Sequence, residues 1–435
     1  MQPIVPKQVT AEEVAQQQKL LKDENIPYFQ FHFSNYTGRM HCMEEAADLY
    51  QNFSKSGFGV DGSSIGFLSI TASDLTVMPD PATFRIGNGP DGKFGYGWSF
   101  LHGLDNQPHP LCVRSAMRRV VEKANRMGFV PEMFGELEFY LFNRDGSYMD
   151  TASYTSLPPE DKGLIYRHRL GRMMLEAGVQ PKRLHHECGP GQNEIELKFQ
   201  PAMKNADDML RGMWLAKLLA DEMNLVCDFN PKPRLGIAGN GLHEHTILRN
   251  AEGRNLFSGP HEGLSDIGLQ YIAGLLKYAR DIAAVFAMSD QTFERLKPGF
   301  EAPIFAAWDF ANRSAMVRVP KILPGTEDKT RIEFRAGDGS GSPHLLSVMI
   351  LGAGLKGIEE HLTCPPRSAE RDFDHVTKEE AAAMGIDMLP TTMPEAIEVL
   401  RNSAFCRELL GQPLVDALIR KKQAAMAGAA APQKH

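Results

Sequence analysis

The sequence predicts an α+β fold: a curved sheet with a charged concave face, accompanied by helices. One observation is a set of four pairs at i, i+2 spacing, Glu136/Glu138, Glu194/Glu196, His243/His245 and Glu333/Arg335, each on an otherwise apolar run. On a strand this spacing sends both side chains to one face. A second is the 183–199 stretch, in which two extended runs flank a Gly189-Pro190-Gly191 corner, so that Glu187 can converge on Glu194. A third is the regular alternation of strand-like and helical periods from about residue 110 onward. A solvated amphipathic strand explains any one of the pairs. Four of them, far apart in sequence, point instead to a sheet that binds hard divalent cations through carboxylates and one or two histidines.

The elements follow in order. Thr10-Ala-Glu-Glu13 reads as a capping box opening a helix through Leu20-Leu21. Residues 26–40 alternate as a strand hairpin, with Phe29, Phe31 and Phe33 before a turn at 35–38. A Gly-rich hairpin over 85–97 closes a mostly β unit. A domain boundary is expected near His109-Pro110, giving domains 1–108 and 109–435, because an amphipathic helix spans 111–127 and ends at Gly128. Beyond it the patterns predict a strand over 136–142, a loop holding Tyr154 and a helix over 162–177. The two-part glutamate strand comes next, followed by a helix over 206–224, the histidine strand and one long helix over 265–288. Irregular segments over 295–302 and 312–320 precede a strand over 331–335. Helices then cover 345–362, 394–402 and 414–424, and the low-complexity tail 425–435 is expected to be disordered.

The composition excludes some partners. A formal net charge of −7 without a long basic run argues against nucleic acid. No apolar run approaches membrane-spanning length and the N-terminus is not signal-like, so a soluble, cytoplasmic protein is expected. The six cysteines show no C-x-x-C spacing and are read as reduced packing residues.

Acidic and histidine ligands on a sheet, with Arg295, Arg313, Arg318, Arg331 and Arg335 nearby in sequence, suit phosphoryl transfer. Cations bridge phosphate oxygens while guanidinium groups neutralise developing charge. There is no Walker loop, and Gly337-Asp-Gly-Ser-Gly341 lacks the lysine that such a loop needs.

The residues also carry a resemblance, over nearly the full length. Val60-Asp-Gly-Ser-Ser64, Gly135-Glu-Leu-Glu-Phe139, His185-His-Glu187, Pro190-Gly-Gln-Asn-Glu194 and Gly239-Asn-Gly-Leu-His-Glu-His245 occur in order. Arg295-Leu-Lys-Pro-Gly-Phe-Glu-Ala-Pro303, Asn312-Arg-Ser-Ala, Arg318-Val-Pro320 and Arg331-Ile-Glu-Phe-Arg335 follow. In this order and spacing they make the chain similar to the glutamine synthetase family. The resemblance implies an N-terminal β-grasp domain and a catalytic domain with a curved antiparallel half-barrel sheet covered by helices. It implies that Glu138, Glu187 and Glu194 hold one Mg²⁺ or Mn²⁺, and Glu136, His243 and Glu333 another. By the same resemblance His245, Arg313, Arg318 and Arg331 meet ATP, and Arg295, Arg335 and Gly239 meet glutamate. Tyr154 would line an ammonium pocket, while Asp61, from a neighbouring subunit, and Glu301, on a flap, would take the ammonium proton. Arg313 would also serve catalysis. The implied assembly is a homo-oligomeric double ring, usually a dodecamer, with shared active sites and a role in nitrogen metabolism.

Several positions depart from the family pattern. Ile237-Ala238 replace an aspartate and an asparagine near the glutamate α-carboxylate, and Ile247 replaces a serine near the nucleotide. The loop after Asp61 is one residue shorter, with Gly66-Phe67 in place of Arg-Gly-Trp, and Ala336-Gly-Asp-Gly replaces Phe-Pro-Asp-Pro. Phe373 stands where adenylylated members carry tyrosine, so no such modification is expected there. The leading expectation is glutamine formation from glutamate, ammonium and ATP. The runner-up is a γ-glutamylamide synthetase using an organic amine such as methylamine, ethanolamine, a polyamine or an aryl amine. An idle regulatory ring and a phosphoguanidine kinase are disfavoured, since all six ligand positions and the Asp-Gly-Ser-Ser motif are present.

Overall fold

A computed structural model describes residues 8–89, 92–369 and 371–430. The chain opens with α1 (Ala11–Asp23), whose Thr10 hydroxyl accepts the Glu13 N–H at 3.2 Å while the Glu13 carboxylate accepts the Thr10 N–H at 2.8 Å. Strands β1 (Tyr28–Ser34) and β2 (Met40–Ala46) form the expected hairpin, followed by α2 (Tyr50–Ser56), β3 (Phe58–Asp61), β4 (Asp74–Pro79), β5 (Arg85–Gly89) and β6 (Gly92–His102). They make one sheet in the order β2-β1-β6-β4-β3, with β5 also on β6. Phe29 and Phe31 are buried and pack with Tyr50, their ring centroids lying 4.6 and 6.2 Å from it.

After α3 (Val113–Arg126) the chain turns at Gly128, where φ is +84° and Phe129 N–H returns to Ala124 O at 2.9 Å. Next come β7 (Val130–Asn143), α4 (Leu164–Glu176), β8 (Pro181–His186), β9 (Gln192–Leu197), β10 (Gln200–Pro201), α5 (Ala202–Glu222), β11 (Leu225–Asp228) and β12 (Leu242–Arg249). The small hairpin β13 (Ser258–Gly259) and β14 (Gly263–Leu264) leads to α6 (Asp266–Lys277), α7 (Ala279–Phe286) and α8 (Asp290–Arg295). Strands β15 (Trp308–Phe310), β16 (Val317–Val319) and β17 (Ile332–Phe334) complete a nine-stranded sheet with the path β15-β16-β17-β12-β7-β9-β8. It is antiparallel except for the parallel β15–β16 pair.

Helices α9 (Pro343–Glu359), α10 (Lys378–Ala383), α11 (Met393–Asn402), α12 (Ala404–Leu410) and α13 (Gln412–Ala430) follow. Helix α9 is apolar nearly all round and almost wholly buried. It crosses α6 so closely that a Cβ on Gly274 would lie 2.1 Å from Ala353 O, and one on Gly357 2.2 Å from Gln270 O.

Two expectations are corrected. The single helix over 265–288 is broken at Tyr278 (φ −102°, ψ 17°), whose ring stacks on Phe405 at 4.0 Å. The apolar period is continuous, so the break is marked only by tertiary contacts, the Tyr278 hydroxyl also reaching Glu360 at 3.3 Å. The tail expected to be disordered from Ala425 is helical to Ala430, and 431–435 lie outside the described residues. Short β15, β16, α8 and α12 were not anticipated. Among the described residues, no helix is long and apolar enough to cross a membrane, and all six cysteines are free.

Candidate active site

Strand register assembles the charged face in lateral rows. Arg318 pairs with Glu333, and Glu333 with His245. His243 pairs with Glu136, Glu136 with Glu196, and Glu196 with Arg183. Glu138 pairs with Glu194, and Glu194 with His185. Each i, i+2 pair thus supplies two neighbouring rows, and segments up to about 200 residues apart in sequence meet. The side chain between them points elsewhere: Glu244 is fully buried toward the helices, accepting the Ser347 hydroxyl at 2.7 Å, and burial pushes its carboxyl up to about 8.

These rows line a cavity of about 480 Å³ that takes in every site residue anticipated from sequence except Asp61. Asp61 ends β3 on the surface of this chain, its carboxylate held by the Ser63 and Ser64 hydroxyls at 2.7 and 2.5 Å. Those bonds lower its carboxyl to about 2.

Within the cavity, oxygen and nitrogen atoms of Glu136, His243 and Glu333 lie within 4.8 Å of one another, as do those of His185, Glu187 and Glu194. Glu138 borders both groups. Its Oε2 accepts the Gly241 N–H at 2.7 Å and its Oε1 stands 3.6 Å from His243 Nδ1. The donor set fits hard divalent cations. Burial and the facing carboxylates Glu136, Glu138 and Glu187 push Glu194 well above the ordinary range, an unfavourable crowding that a cation would relieve. Burial works against ionisation of Glu136 too, yet electrostatic attraction and hydrogen bonding to His245 and His243 hold it well below that range.

The imidazoles are oriented by their neighbours. His245 Nδ1 accepts Arg331 Nε–H at 3.3 Å, which leaves Nε2 to donate to Glu136 at 2.8 Å, and its ring stacks on Phe134 at 4.1 Å. Arg318 and Arg335 clamp Glu333 at 2.7 and 2.6 Å. Burial opposes ionisation of Glu333, but Arg335, His245 and Arg318 hold it down to about 2. Arg295 is buried and donates to Ala336 O and Arg335 O at 2.8 and 3.0 Å, while Arg335 Nε reaches Arg313 O at 3.0 Å. The arginines therefore brace one another's backbone as well as facing the cavity. Arg313 and Tyr154 stand on the lining, and Tyr154 packs edge-on against His185 at 5.3 Å.

The Gly-Pro-Gly corner is required by packing. A Cβ on Gly189 would fall 1.9 Å from Tyr140 Oη, and Gly191 has a φ of +69°. Gln192 then joins the corner to the 239–240 segment, donating to Gly239 O at 2.9 Å. Sequence reading missed the buried support beneath this corner. His186 Nε2 faces Asp150 Oδ1 at 2.9 Å, and Asp150 also accepts the Gly191 and Lys162 N–H groups at 2.9 and 3.0 Å. Asp150 lies 36 residues away in a loop with no periodic signal, so only the His-His-Glu string hinted at it.

The glutamine synthetase catalytic-domain model matches residues 110–432, and the glutamine synthetase β-grasp model residues 25–90. The glutamine synthetase of Pyrococcus woesei is 34% identical over 394 residues, covering 89% of this chain and 88% of its own length. That of Mycolicibacterium smegmatis is 32% identical over 418 residues, with 93% of each chain covered. Among solved structures, GmaS without ligand is 25% identical, with a TM-score of 0.82 over 96% of this chain and 97% of its own. Plasmodium falciparum glutamine synthetase, at 20% identity, shares the fold with a TM-score of 0.85 over 99% and 98%. The N-terminal sheet is accordingly a β-grasp domain and the nine-stranded sheet a curled half-barrel. The chain belongs to the glutamine synthetase family and is an ATP-dependent ligase.

Proposed function

We propose that this ligase forms glutamine from glutamate, ammonium and ATP through γ-glutamyl phosphate. The observation that carries the reading is the convergence of carboxylates, imidazoles and six arginines in one cavity. A glutamate γ-carboxylate is a poor electrophile. Its oxygen attacks the γ-phosphorus of ATP, ADP leaves, and the acyl phosphate that results accepts an amine with loss of phosphate. Divalent cations, Mg²⁺ or Mn²⁺, would be held by Glu136, His243 and Glu333 and by Glu138, Glu187 and Glu194. When bound they would neutralise phosphate charge during transfer.

The protein's own groups would do the rest. Arg313, Arg318, Arg331 and His245 would position the triphosphate, and Arg295, Arg335 and Gly239 the glutamate. Glu301 of this chain and Asp61 of a neighbouring copy would receive the ammonium proton beside Tyr154, leaving a neutral nucleophile. The exposure of Asp61 outside its own chain's cavity favours a homo-oligomer with shared sites, and the family resemblance adds a double-ring arrangement.

A second reading has a specific observation behind it. The likeness to GmaS, a gamma-glutamylmethylamide synthetase, together with Ala238 on the cavity wall, favours an organic amine in place of ammonium. Phosphate release from ATP and Mg²⁺ with L-glutamate, comparing ammonium with a panel of primary amines and reading product mass, separates the two. Ammonium with the highest kcat/KM supports glutamine formation. An organic amine ahead by about tenfold, some 1.4 kcal/mol of transition-state preference, overturns it.

A further inference from the structure

The loop carrying Glu301 is fastened to the 237–239 segment of the cavity wall by a lysine that takes no part in the proposed chemistry. Lys232 is buried, yet no carboxylate among the described residues lies within ion-pair distance of it. Its Nζ has two partners instead. It sits 3.8 Å from the centroid of the Phe300 ring and donates to Ile237 O at 2.5 Å. Phe300 precedes Glu301, and Ile237 precedes Ala238 and Gly239; Phe300, Glu301, Ala238 and Gly239 all line the cavity. Glu301 itself holds a φ of +54°, a left-handed conformation that costs a non-glycine residue free energy and persists only where neighbours impose it. Its carboxylate is near enough to Cys188 to contribute, behind burial and Glu187, to pushing that thiol up to about 12. The loop thus sets Glu301 in the same cavity as the Glu187 corner.

We propose that Lys232 is a latch. By gripping the Phe300 ring and the Ile237 carbonyl together, it ties the Glu301 loop to the 237–239 wall and sets where the Glu301 carboxylate stands relative to the incoming amine. A desolvated cation over an aromatic face is a strong, geometrically selective contact, and the nearby Glu294 carboxylate is engaged by Lys297, so Lys232 has no ion pair among the described residues. Lys232 is a positioning residue, since it acts on the reaction through Phe300 and Glu301. This deepens the ligase reading and rests on it.

The test is a double-mutant cycle in the full-length protein with Lys232→Met, which keeps the length and removes the charge, and Phe300→Leu, which removes the ring. Each is expected to raise the KM for the nitrogen donor by about tenfold with little change in the KM for ATP, and the double variant is to be no worse than the poorer single. Phe300→Tyr keeps the π face and retains the wild-type KM. Amide hydrogen exchange over 298–302 supplies a second readout that needs no turnover, and is expected to quicken in both singles. The latch is overturned if the two KM effects multiply or if exchange over 298–302 is unchanged. Should Lys232→Met fail to fold, the half-exposed Phe300→Leu decides the matter by exchange alone. If the wild type turns over no nitrogen donor, the ligase reading fails, while the exchange data still accept or reject the latch.

Discussion

Glu138 and Glu194 stand directly opposite one another on β7 and β9, both buried, and among the described residues neither forms an ion pair with a lysine or arginine. Like charges so placed destabilise a sheet pair, and burial enlarges the penalty. A divalent cation would reverse the sign of that interaction. Added Mg²⁺ or Mn²⁺ is therefore expected to raise the melting temperature, a chelator to lower it, and Glu194→Gln to abolish most of the metal-dependent shift. Thermal denaturation with and without metal checks all three; a melting temperature indifferent to both cations would contradict the ligand assignment.

Glu301→Ala should depress ammonium-dependent turnover by about two orders of magnitude, the usual range for losing a general base, while leaving ATP binding intact. The effect should be small if the donor is a bulky amine that enters neutral. Steady-state rates with each donor distinguish these outcomes.

If Asp61 serves a neighbour's cavity, Asp61→Ala and Glu301→Ala should each be poorly active alone. Assembled together, they should regain part of the wild-type rate, because some sites then pair an intact Glu301 with an intact Asp61. Activity of the co-assembled mixture no higher than that of either parent would place Asp61 outside the shared site.

Arg114 of α3 ties the end of β4 to helix α5. Its guanidinium takes Asp207 of α5 at 2.9 Å and Asp80, just past β4, at 2.8 Å, and Asp207 also faces His344 at 2.9 Å. Arg114→Met leaves the buried Asp207 with His344 alone and removes the partner of the half-buried Asp80, and should cost about 3–5 kcal/mol. Chemical denaturation at neutral pH is the measurement, and a loss under 1 kcal/mol would refute the link.

Lys422 on α13 is fully buried, and burial lowers its ammonium from 10.5 to about 7 while it donates to Ala287 O. Between those two values the unfolded chain binds the extra proton, so this lysine's contribution to stability rises with pH from 7 to about 10. Below 7 its full burial cost is present. The stability advantage of Lys422→Met over wild type should thus be largest at pH 6–7 and shrink by pH 10, as read from melting temperatures across that range. An advantage that grows with pH would contradict the assignment.

Much of the site was legible because strand geometry is local. Period two alone put Glu136 with Glu138, and His243 with His245, on one face, while Glu244 between them was bound to point to the other. The resemblance then sorted these residues into ligand and phosphate groups before any distance was known. What stayed hidden has no local signature. The Tyr278 break depends on Phe405, the support of the Gly-Pro-Gly corner on Asp150, and the Lys232 contact on a ring 68 residues further along.

By itself the sequence determined the α+β class, the apolar and charged faces of each strand, the helix cap at Thr10 and the residue types that any cation or phosphate would meet. These follow from backbone periodicity and side-chain chemistry, which act within a few residues. Only the tertiary structure decided that His245 bonds Glu136 rather than Glu333. It alone set His185 beside Glu187 and Glu194, left Asp61 outside its own chain's cavity, and enclosed Lys422 and Lys232 with no carboxylate at ion-pair distance among the described residues. Register between distant strands and the packing of loops over a sheet are collective outcomes, in which one contact is favourable only once the others have formed.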